Sequence, residues 1–278
     1  MNSVHTPNSA RNYSLAFILS IPIGILGGLI GLGGAEFRLP VLIGLLKLQT
    51  REAVPINLAV SLITLLSSTI SRLSVVTTFP LVDLAPILIS MVGGAMTAAF
   101  FSVGIASKIS NHMLEKWIKV LLISIGMLLI LEGFIPEISA HLMTSSIFIQ
   151  VLVGISAGVL IGIVSSLLGV AGGELIIPTL IFIFGIGVKI AGTASLMISL
   201  PTVMMGLIRY YRTTTFVSGH NFRSIVLPMG FGSILGSIIG GLLFGLISPN
   251  LLKLFLGLIL IYSAMKMFVN SKASQKIQ

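Results

Sequence analysis

The chain alternates long apolar runs with short polar interruptions, and several runs are long enough to cross a membrane. Ile147–Val164 and Ile225–Ile247, for example, contain no charged residue. A membrane-crossing helix needs about 20 predominantly apolar residues. The pattern therefore predicts an all-α, polytopic membrane protein. Its predicted helical segments are 14–33, 36–48, 53–71, 82–106 and 114–133 in the first half, and 147–169, 174–188, 191–210, 223–247 and 251–269 in the second.

A ten-residue pattern occurs once in each half of the chain. Residues 31–40 read GLGGAEFRLP and residues 169–178 read GVAGGELIIP. Glu36 and Glu174 are 138 positions apart (174 minus 36), and Ser61 and Ser199 have the same separation. We interpret the chain as two copies of one unit. The predicted divisions are a terminal segment 1–13, repeat 1 at 14–133, a linker at 134–146, repeat 2 at 147–269 and a terminal segment 270–278.

The number of segments and the distribution of positive charge predict the topology. Repeats of about four to five segments are expected, and with an odd number the second repeat enters the membrane from the opposite side. With a cytoplasmic N-terminus, twelve lysines and arginines fall on the cytoplasmic side and three, Arg72, Lys189 and Lys253, on the other. Positive charge marks the cytoplasmic side. The sequence therefore predicts inverted repeats in the cell (inner) membrane, with both termini in the cytoplasm.

The second segment of each repeat is short for a membrane span. Glu36–Leu48 has 13 residues, which is about 20 Å of helix against a hydrocarbon core of about 30 Å. We therefore predict broken or re-entrant helices at the glycine-rich pattern, with about eight to ten full spans. Irregular backbone at that depth is tolerated where protein buries it or water reaches it.

Composition removes several classes of function. The mean hydropathy is +1.13, and charged residues make up 8% of the chain, too few for the surface of a soluble protein. The net charge of +9 comes from scattered residues, so no nucleic-acid partner is expected. With no cysteine, and neither metal-ligand spacing nor a nucleotide-binding or nucleophile motif, we expect no metal, no cofactor and no enzyme activity.

The duplicated pattern is a candidate anion site. Gly33 and Gly34, with Gly172 and Gly173, allow sharp turns that free backbone N–H groups at the start of new helices. Helix N-termini attract anions through those N–H groups and the helix dipole. The alternative is that the glycines only allow helices to cross closely, as expected for Gly158.

Glu36 and Glu174 are the carboxylates expected at membrane depth. An intramembrane acid is costly when charged and is a functional candidate by default. Either residue could couple transport to a proton, cap its helix, or, for Glu36, pair with Arg38. Arg38 could instead hold an oxyanion bidentately or extend to the surface, and Ile176 replaces it in the second repeat.

A polar stripe follows each pattern. Asn57, Ser61 and Thr64 fall at i, i+4 and i+7, on one helical face, and the second repeat has Ser195, Ser199 and Thr202. The stripes could line a substrate cavity, or they could join membrane helices by hydrogen bonds.

The two patterns, each followed by a segment with the Ala-x-x-x-Ser/Asn-Leu theme, resemble those of the sulfite exporter TauE/SafE family of membrane permeases. The matching stretches are Gly31–Leu42 with Ala53–Ser61 and Gly169–Leu180 with Ala191–Ser199. The resemblance covers about residues 14–269 and implies a secondary permease for sulfite, sulfonates or related organosulfur and carboxylate anions. Ala171 departs from the glycine of a stricter second copy.

The expected function is a secondary anion transporter, with proton coupling through Glu36 and Glu174 as one hypothesis. A passive anion channel is the first alternative, and a membrane subunit of a redox or assembly complex is the second. The expected partners are a small anion, the lipid bilayer and a coupling proton, and a homo-oligomer is compatible with the sequence.

Overall fold

The computed structural model describes residues 9–46, 48, 50–75, 79–105, 123–124, 126–127, 130–131, 146–213, 222–248, 250–252, 254–258 and 261–262. The predicted segments 114–133 and 251–269 lie partly outside the described residues. So do most of 1–13, nearly all of the linker and all of 270–278.

The fold is all α-helical over the described ranges, as the apolar pattern predicts. The helices are α1 (Ser9–Ile30), α2 (Ala35–Pro40), α3 (Thr50–Val75), α4 (Leu81–Ile105), α5 (Ile147–Leu168), α6 (Gly173–Phe182), α7 (Val188–Thr213) and α8 (Leu227–Phe244). A π-helical turn, Val41–Leu45, follows α2, and a second, Phe222–Val226, precedes α8.

Five of the described helices are long and apolar enough to cross a membrane. Their apolar spans are Glu52–Val75, Leu81–Ser102, Ile147–Ser166, Val188–Arg212 and Ser224–Phe244. The apolar part of α1, Ser14–Ile30, and the whole of α6 are shorter. The polytopic membrane architecture predicted from the sequence is confirmed.

The helix bounds recur with the separation of the sequence pattern. The helices α1 and α5 differ by 138 positions at both ends, and so do α3 and α7. The equivalent helices α3 and α7 run antiparallel, because Arg72 near the end of α3 contacts Thr193 near the start of α7. At their other ends Leu58 lies beside Gly206. Antiparallel equivalents are the relation that inverted repeats require; the side of the membrane that each end faces stays a prediction.

Glycines bring the outer helices into close contact. A Cβ added at Gly158 of α5 would collide with the carbonyl oxygen of Met91 in α4, and one at Gly236 of α8 would collide with that of Ile21 in α1. Each pair therefore joins the first helix of one repeat to the fourth helix of the other. Close backbone approach at small residues is how membrane helices gain packing energy.

One assignment from the sequence is wrong. The helix α3 continues to Val75 rather than ending at residue 71, so Arg72 lies within the helix and not in the loop after it; the side of the membrane that it faces stays a prediction. Its side chain is fully buried. The guanidinium donates hydrogen bonds to backbone carbonyl groups of α1 and lies over the ring of Phe244 in α8, and these contacts hold it between the helices.

We expect Gly158→Ala to lower the free energy of unfolding by about 1–3 kcal/mol, because the added methyl group meets backbone that cannot move aside. The measurement is the thermal unfolding midpoint in detergent. The control is Gly93→Ala, where nothing lies within 4 Å of the added Cβ and the better helix propensity of alanine should leave stability equal or higher. Equal midpoints for the two variants would contradict the packing role.

Candidate functional site

The two glycine breaks are left-handed turns that reverse the chain between helices. Gly31, Gly33 and Gly34 have φ of 95°, 81° and 72°, and Gly169 and Gly172 have φ of 67° and 80°. Other residues rarely adopt this backbone conformation. The breaks interrupt the helices where the sequence predicts.

The breaks lie against each other at the centre of the molecule. An ideal Cβ at Gly33 would lie 3.0 Å from the Cβ of Ala171, its equivalent in the second repeat. Gly173 packs on the backbone of Leu32, with 2.9 Å between its ideal Cβ and the Cα of Leu32. Residues 31–35 and 169–178 are buried. The structure therefore brings the two halves of the duplicated pattern into one buried region.

Crossed hydrogen bonds connect the polar stripes to these breaks. Asn57 Nδ2 donates to the carbonyl of Gly169 at 2.8 Å and to that of Ala35 at 2.9 Å. Ser195, the equivalent of Asn57, donates from Oγ to the carbonyl of Gly31 at 3.0 Å. Each repeat thus holds the first glycine of the other repeat's break. This observation supports the interpretation that Asn57 and Ser195 join the helices of the two repeats by hydrogen bonds.

Arg38 is the central polar group of the first stripe. Its side chain is fully buried, and Nη1 donates to Ser61 Oγ at 2.9 Å and to Asn57 Oδ1 at 3.4 Å. Nη2 donates to Thr64 Oγ1 at 3.0 Å and to Ser233 Oγ at 3.3 Å. Nε has no hydrogen-bond partner. Among the described residues no carboxylate lies within ion-pair distance, so the guanidinium is surrounded by neutral acceptors.

The second stripe has no equivalent cation, because Ile176 stands where the first repeat has Arg38. Ser199 Oγ is buried without a hydrogen-bond partner, and so is the Oγ of Ser68, which lies four residues after Thr64 in α3. Thr202 Oγ1 donates to the carbonyl of Ile198 in its own helix at 2.8 Å. The structure therefore gathers the first stripe around Arg38 and leaves the second free of that contact.

Glu36 and Glu174 begin the helices that follow the breaks. One carboxylate oxygen of each, Oε1, is buried without a hydrogen-bond partner. Glu174 is 7% exposed, whereas Glu36 is partly exposed. The two carboxylates lie within electrostatic range of each other, and Glu36 lies within range of Arg38. No direct ion pair with Arg38 forms, so that alternative from the sequence analysis is not what the geometry shows.

Sequence reasoning missed two side chains that donate hydrogen bonds to carbonyl groups near the ends of α1 and α5. Arg72 Nε donates to the carbonyl of Gly28 at 2.8 Å, and Nη2 to that of Leu29 at 2.6 Å. At the equivalent position, Tyr210 donates its hydroxyl to the carbonyl of Ser166 at 3.2 Å. Gly28 and Ser166 are themselves equivalent by the separation of 138. The signal that could have found them is a polar residue at the same place in both repeats.

Two open grooves lie along α3 and involve other residues. One has walls of Ala59, Leu62, Ile63, Leu207, Ile208, Tyr211, Arg212 and Val226. The other has walls of Ile63, Leu66, Ser67, Ile70, Ser71, Ser74, Ile234, Ile238 and Leu242. Both are mainly apolar surfaces of the helix bundle, and neither includes the breaks, Arg38 or the glutamates.

Comparisons with known proteins point to membrane transporters. The sequence profile of the family described as "Sulfite exporter TauE/SafE" matches residues 2–132 and 152–278. A Bacillus subtilis (strain 168) protein named "Probable membrane transporter protein YunE" is 26% identical over 231 residues, covering 75% of this chain and 80% of that protein. No solved structure matches the chain.

We expect Asn57→Ala to lower the free energy of unfolding by about 2–4 kcal/mol and Ser195→Ala by about 1 kcal/mol. Asn57→Ala removes the side-chain donor to two carbonyl groups and one of the two acceptors of Arg38 Nη1, whereas Ser195→Ala removes the donor to one carbonyl group. Thermal unfolding in detergent measures both. The control is Ser156→Ala, an exposed hydroxyl bonded within its own helix, which should change stability by less than about 0.5 kcal/mol. An Asn57 effect no larger than the control effect would refute the joining role.

Proposed function

The chain belongs to the sulfite exporter TauE/SafE family of membrane transporters, and we propose that it is a secondary permease for small anions. The proposed substrate class is sulfite, sulfonates and related organosulfur or carboxylate compounds. The proposed location is the inner membrane, with both termini in the cytoplasm and the second repeat inverted relative to the first.

The observation that carries the proposal is the environment of Arg38. A guanidinium that is fully buried among membrane helices is costly unless an opposite charge or a full set of hydrogen bonds compensates it. Its acceptors are a side-chain amide and hydroxyls. An oxyanion would supply the missing negative charge, and hydroxyl contacts can be exchanged for oxyanion oxygens at little cost. Arg38 is therefore the proposed anchor of the substrate.

The rest of the proposed site follows from what lies around Arg38. Ser61 and Thr64 can turn their hydroxyls toward an oxyanion once it displaces them from the guanidinium. The backbone around Gly33–Glu36 and Gly172–Glu174 completes the proposed site, with Ser199 as a hydroxyl that has no competing partner. Because α2 has only six residues, its dipole is small, and Arg38 supplies most of the attraction.

Glu36 and Glu174 are the proposed coupling groups. Two carboxylates within electrostatic range repel each other when both are ionised, and a proton on either one relieves the repulsion. One oxygen of each carboxylate, Oε1, accepts no hydrogen bond, so a proton can bind there without displacing a donor. Protonation from one side and release to the other would couple anion movement to a pH gradient.

The closed state of the site favours a permease over an open channel. Residues 31–35, Arg38 and Glu174 are all buried, so an anion can reach them only when helices move apart. Transport that requires such movement is expected to be slow, to saturate with substrate and to respond to a gradient.

We expect Arg38→Met to reduce the initial rate of anion flux at least tenfold, because losing a charge-assisted hydrogen bond is worth more than about 1.4 kcal/mol. Arg38→Lys should retain part of the flux, since it keeps the charge but loses the planar bidentate geometry. The measurement is flux of labelled sulfite, sulfonates and carboxylates in proteoliposomes.

The matched control for Arg38 is Ile176→Met, the same introduced residue at the equivalent buried position of the second repeat. Its flux should stay within about twofold of the unmodified protein. Equal flux in Arg38→Met and the unmodified protein would exclude Arg38 as the anchor. Flux of no anion in the folded, unmodified protein would overturn the proposed substrate class.

We expect Glu36→Gln and Glu174→Gln to abolish the response of flux to an imposed pH gradient, because an amide cannot bind and release the proton. Downhill exchange of anion should survive in at least one of them, which separates coupling from binding. Gradient-driven uptake that persists in both variants would remove the coupling role. Flux in the unmodified protein that ignores the gradient and does not saturate would favour the channel.

A further inference from the structure

Arg72 joins the two repeats at one end of the molecule. Besides the carbonyls of Gly28 and Leu29, it reaches Thr193 Oγ1 at 3.4 Å through Nη1. Its guanidinium carbon lies 3.9 Å from the ring centroid of Phe244, the last residue of α8. A guanidinium is attracted to the electron-rich face of an aromatic ring, and more strongly when water is excluded. We name Arg72 and Phe244 the Arg72 clamp.

A second arginine meets an aromatic ring in the other repeat. The guanidinium carbon of Arg209 in α7 lies 4.9 Å from the ring centroid of Phe100 in α4. Arg209 is one position before Tyr210, the residue equivalent to Arg72. We name Arg209 and Phe100 the Arg209 clamp.

The two clamps join corresponding pairs of helices. Each joins the long third helix of one repeat, α3 or α7, to the fourth helix of the other repeat, α8 or α4. Each therefore places an aromatic ring of one repeat against a guanidinium of the other.

The clamps lie on opposite sides of the buried region. Arg72 comes 11 residues after Ser61 and Arg209 comes 10 residues after Ser199 (72 minus 61, 209 minus 199), roughly 15 Å along each helix. Because α3 and α7 run antiparallel, those displacements point in opposite directions. The breaks, Arg38 and the glutamates therefore lie between the clamps.

We propose that the two clamps are alternating gates: one opens while the other stays closed, so that the buried region is reached from one side of the membrane at a time. This inference rests on the proposed transport function. With both clamps closed, the structure corresponds to an occluded state of the cycle.

The chemistry of the Arg72 clamp suits a contact that opens repeatedly. When α8 moves away, entering water can hydrate the guanidinium and the two carbonyls of α1 in place of their mutual hydrogen bonds. The net cost includes the cation–π contact, the apolar area around Phe244, which is 2% exposed, and the close packing of this end of α8 on α1 and α3 at Gly240 and Gly241. A contact of this kind can keep a gate closed without making the closure permanent.

The test measures the accessibility of each side with single-cysteine reporters. The chain contains no cysteine, so a reporter has no background. Ala191→Cys and Ala53→Cys are equivalent positions, and both alanines are fully buried. Ala191 precedes Gly192, whose added Cβ would lie 2.8 Å from Arg72 Nη1. Ala53 shares an apolar cluster with Leu207, near Arg209.

Each reporter is labelled with a membrane-impermeant thiol reagent, added to one or the other side of oriented vesicles. In the Arg72→Gln background we expect labelling at position 191 to become at least tenfold faster and labelling at position 53 to become slower. In the Arg209→Gln background we expect the reverse. A general loosening of the fold would speed labelling at both positions, and that result, like unchanged labelling at both, would overturn the proposal.

Phe244→Leu and Phe100→Leu form a second, milder set, because they remove the aromatic face and leave both arginines in place, with the hydrogen bonds of Arg72 intact. They should give the same reciprocal shifts with smaller size, at least threefold, and they decide the matter if an arginine variant does not fold. The matched control is Phe231→Leu, 62% exposed on α8, which should leave both rates unchanged.

The labelling needs no substrate, so the gates and the proposed function can fail separately. Reciprocal labelling without flux of any tested anion would keep the gates and reject the substrate class. Anion flux in the unmodified protein without reciprocal labelling would keep the transport function and reject the gates.

Discussion

Backbone carbonyl groups released by the two glycine breaks impose the constraint on which the rest of this structure depends. Within a membrane no bulk water is available to satisfy them, and each unpaired group costs several kcal/mol. The protein satisfies them with side chains from distant helices: Asn57 on Gly169, Ser195 on Gly31, and Arg72 on Gly28. Two of these bonds, those of Asn57 and Ser195, connect one repeat to the other. The breaks therefore fix how the repeats fit together as well as where the chain turns.

Close packing at small residues makes that fit possible. Gly33 meets Ala171 at the centre, and the outer helix pairs approach through glycines such as Gly158 and Gly236. Without a hydrophobic driving force between membrane helices, such contacts carry much of the packing energy. The same small residues also allow helices to move against each other without large changes in rotamer, which a transport cycle requires.

The two repeats share a backbone plan but differ in charge. The buried cations Arg38 and Arg72 belong to the first repeat, and Ile176 and Tyr210 replace them in the second. Each repeat keeps one glutamate. The two repeats therefore differ in buried positive charge and are alike in this carboxylate. A symmetric fold in this way produces an asymmetric central region, in which one repeat contributes a buried guanidinium and both contribute a carboxylate. The family to which the chain belongs consists of transporters, which is consistent with such a site.

The sequence by itself determined the helical membrane class, the duplication at 138 residues, the positions of the breaks and the residues Arg38, Glu36 and Glu174, because each of these follows from local composition or from spacing along the chain. It could not determine which side chains meet across the repeats. Three contacts join residues as far as 172 positions apart along the chain (244 minus 72): Arg72 between α1 and α8, Ser61 and Thr64 around one guanidinium, and Asn57 on Gly169. Only the tertiary structure decided those contacts, because a buried polar group takes the nearest unsatisfied partner in space, and periodicity along a helix does not show which helix will supply it.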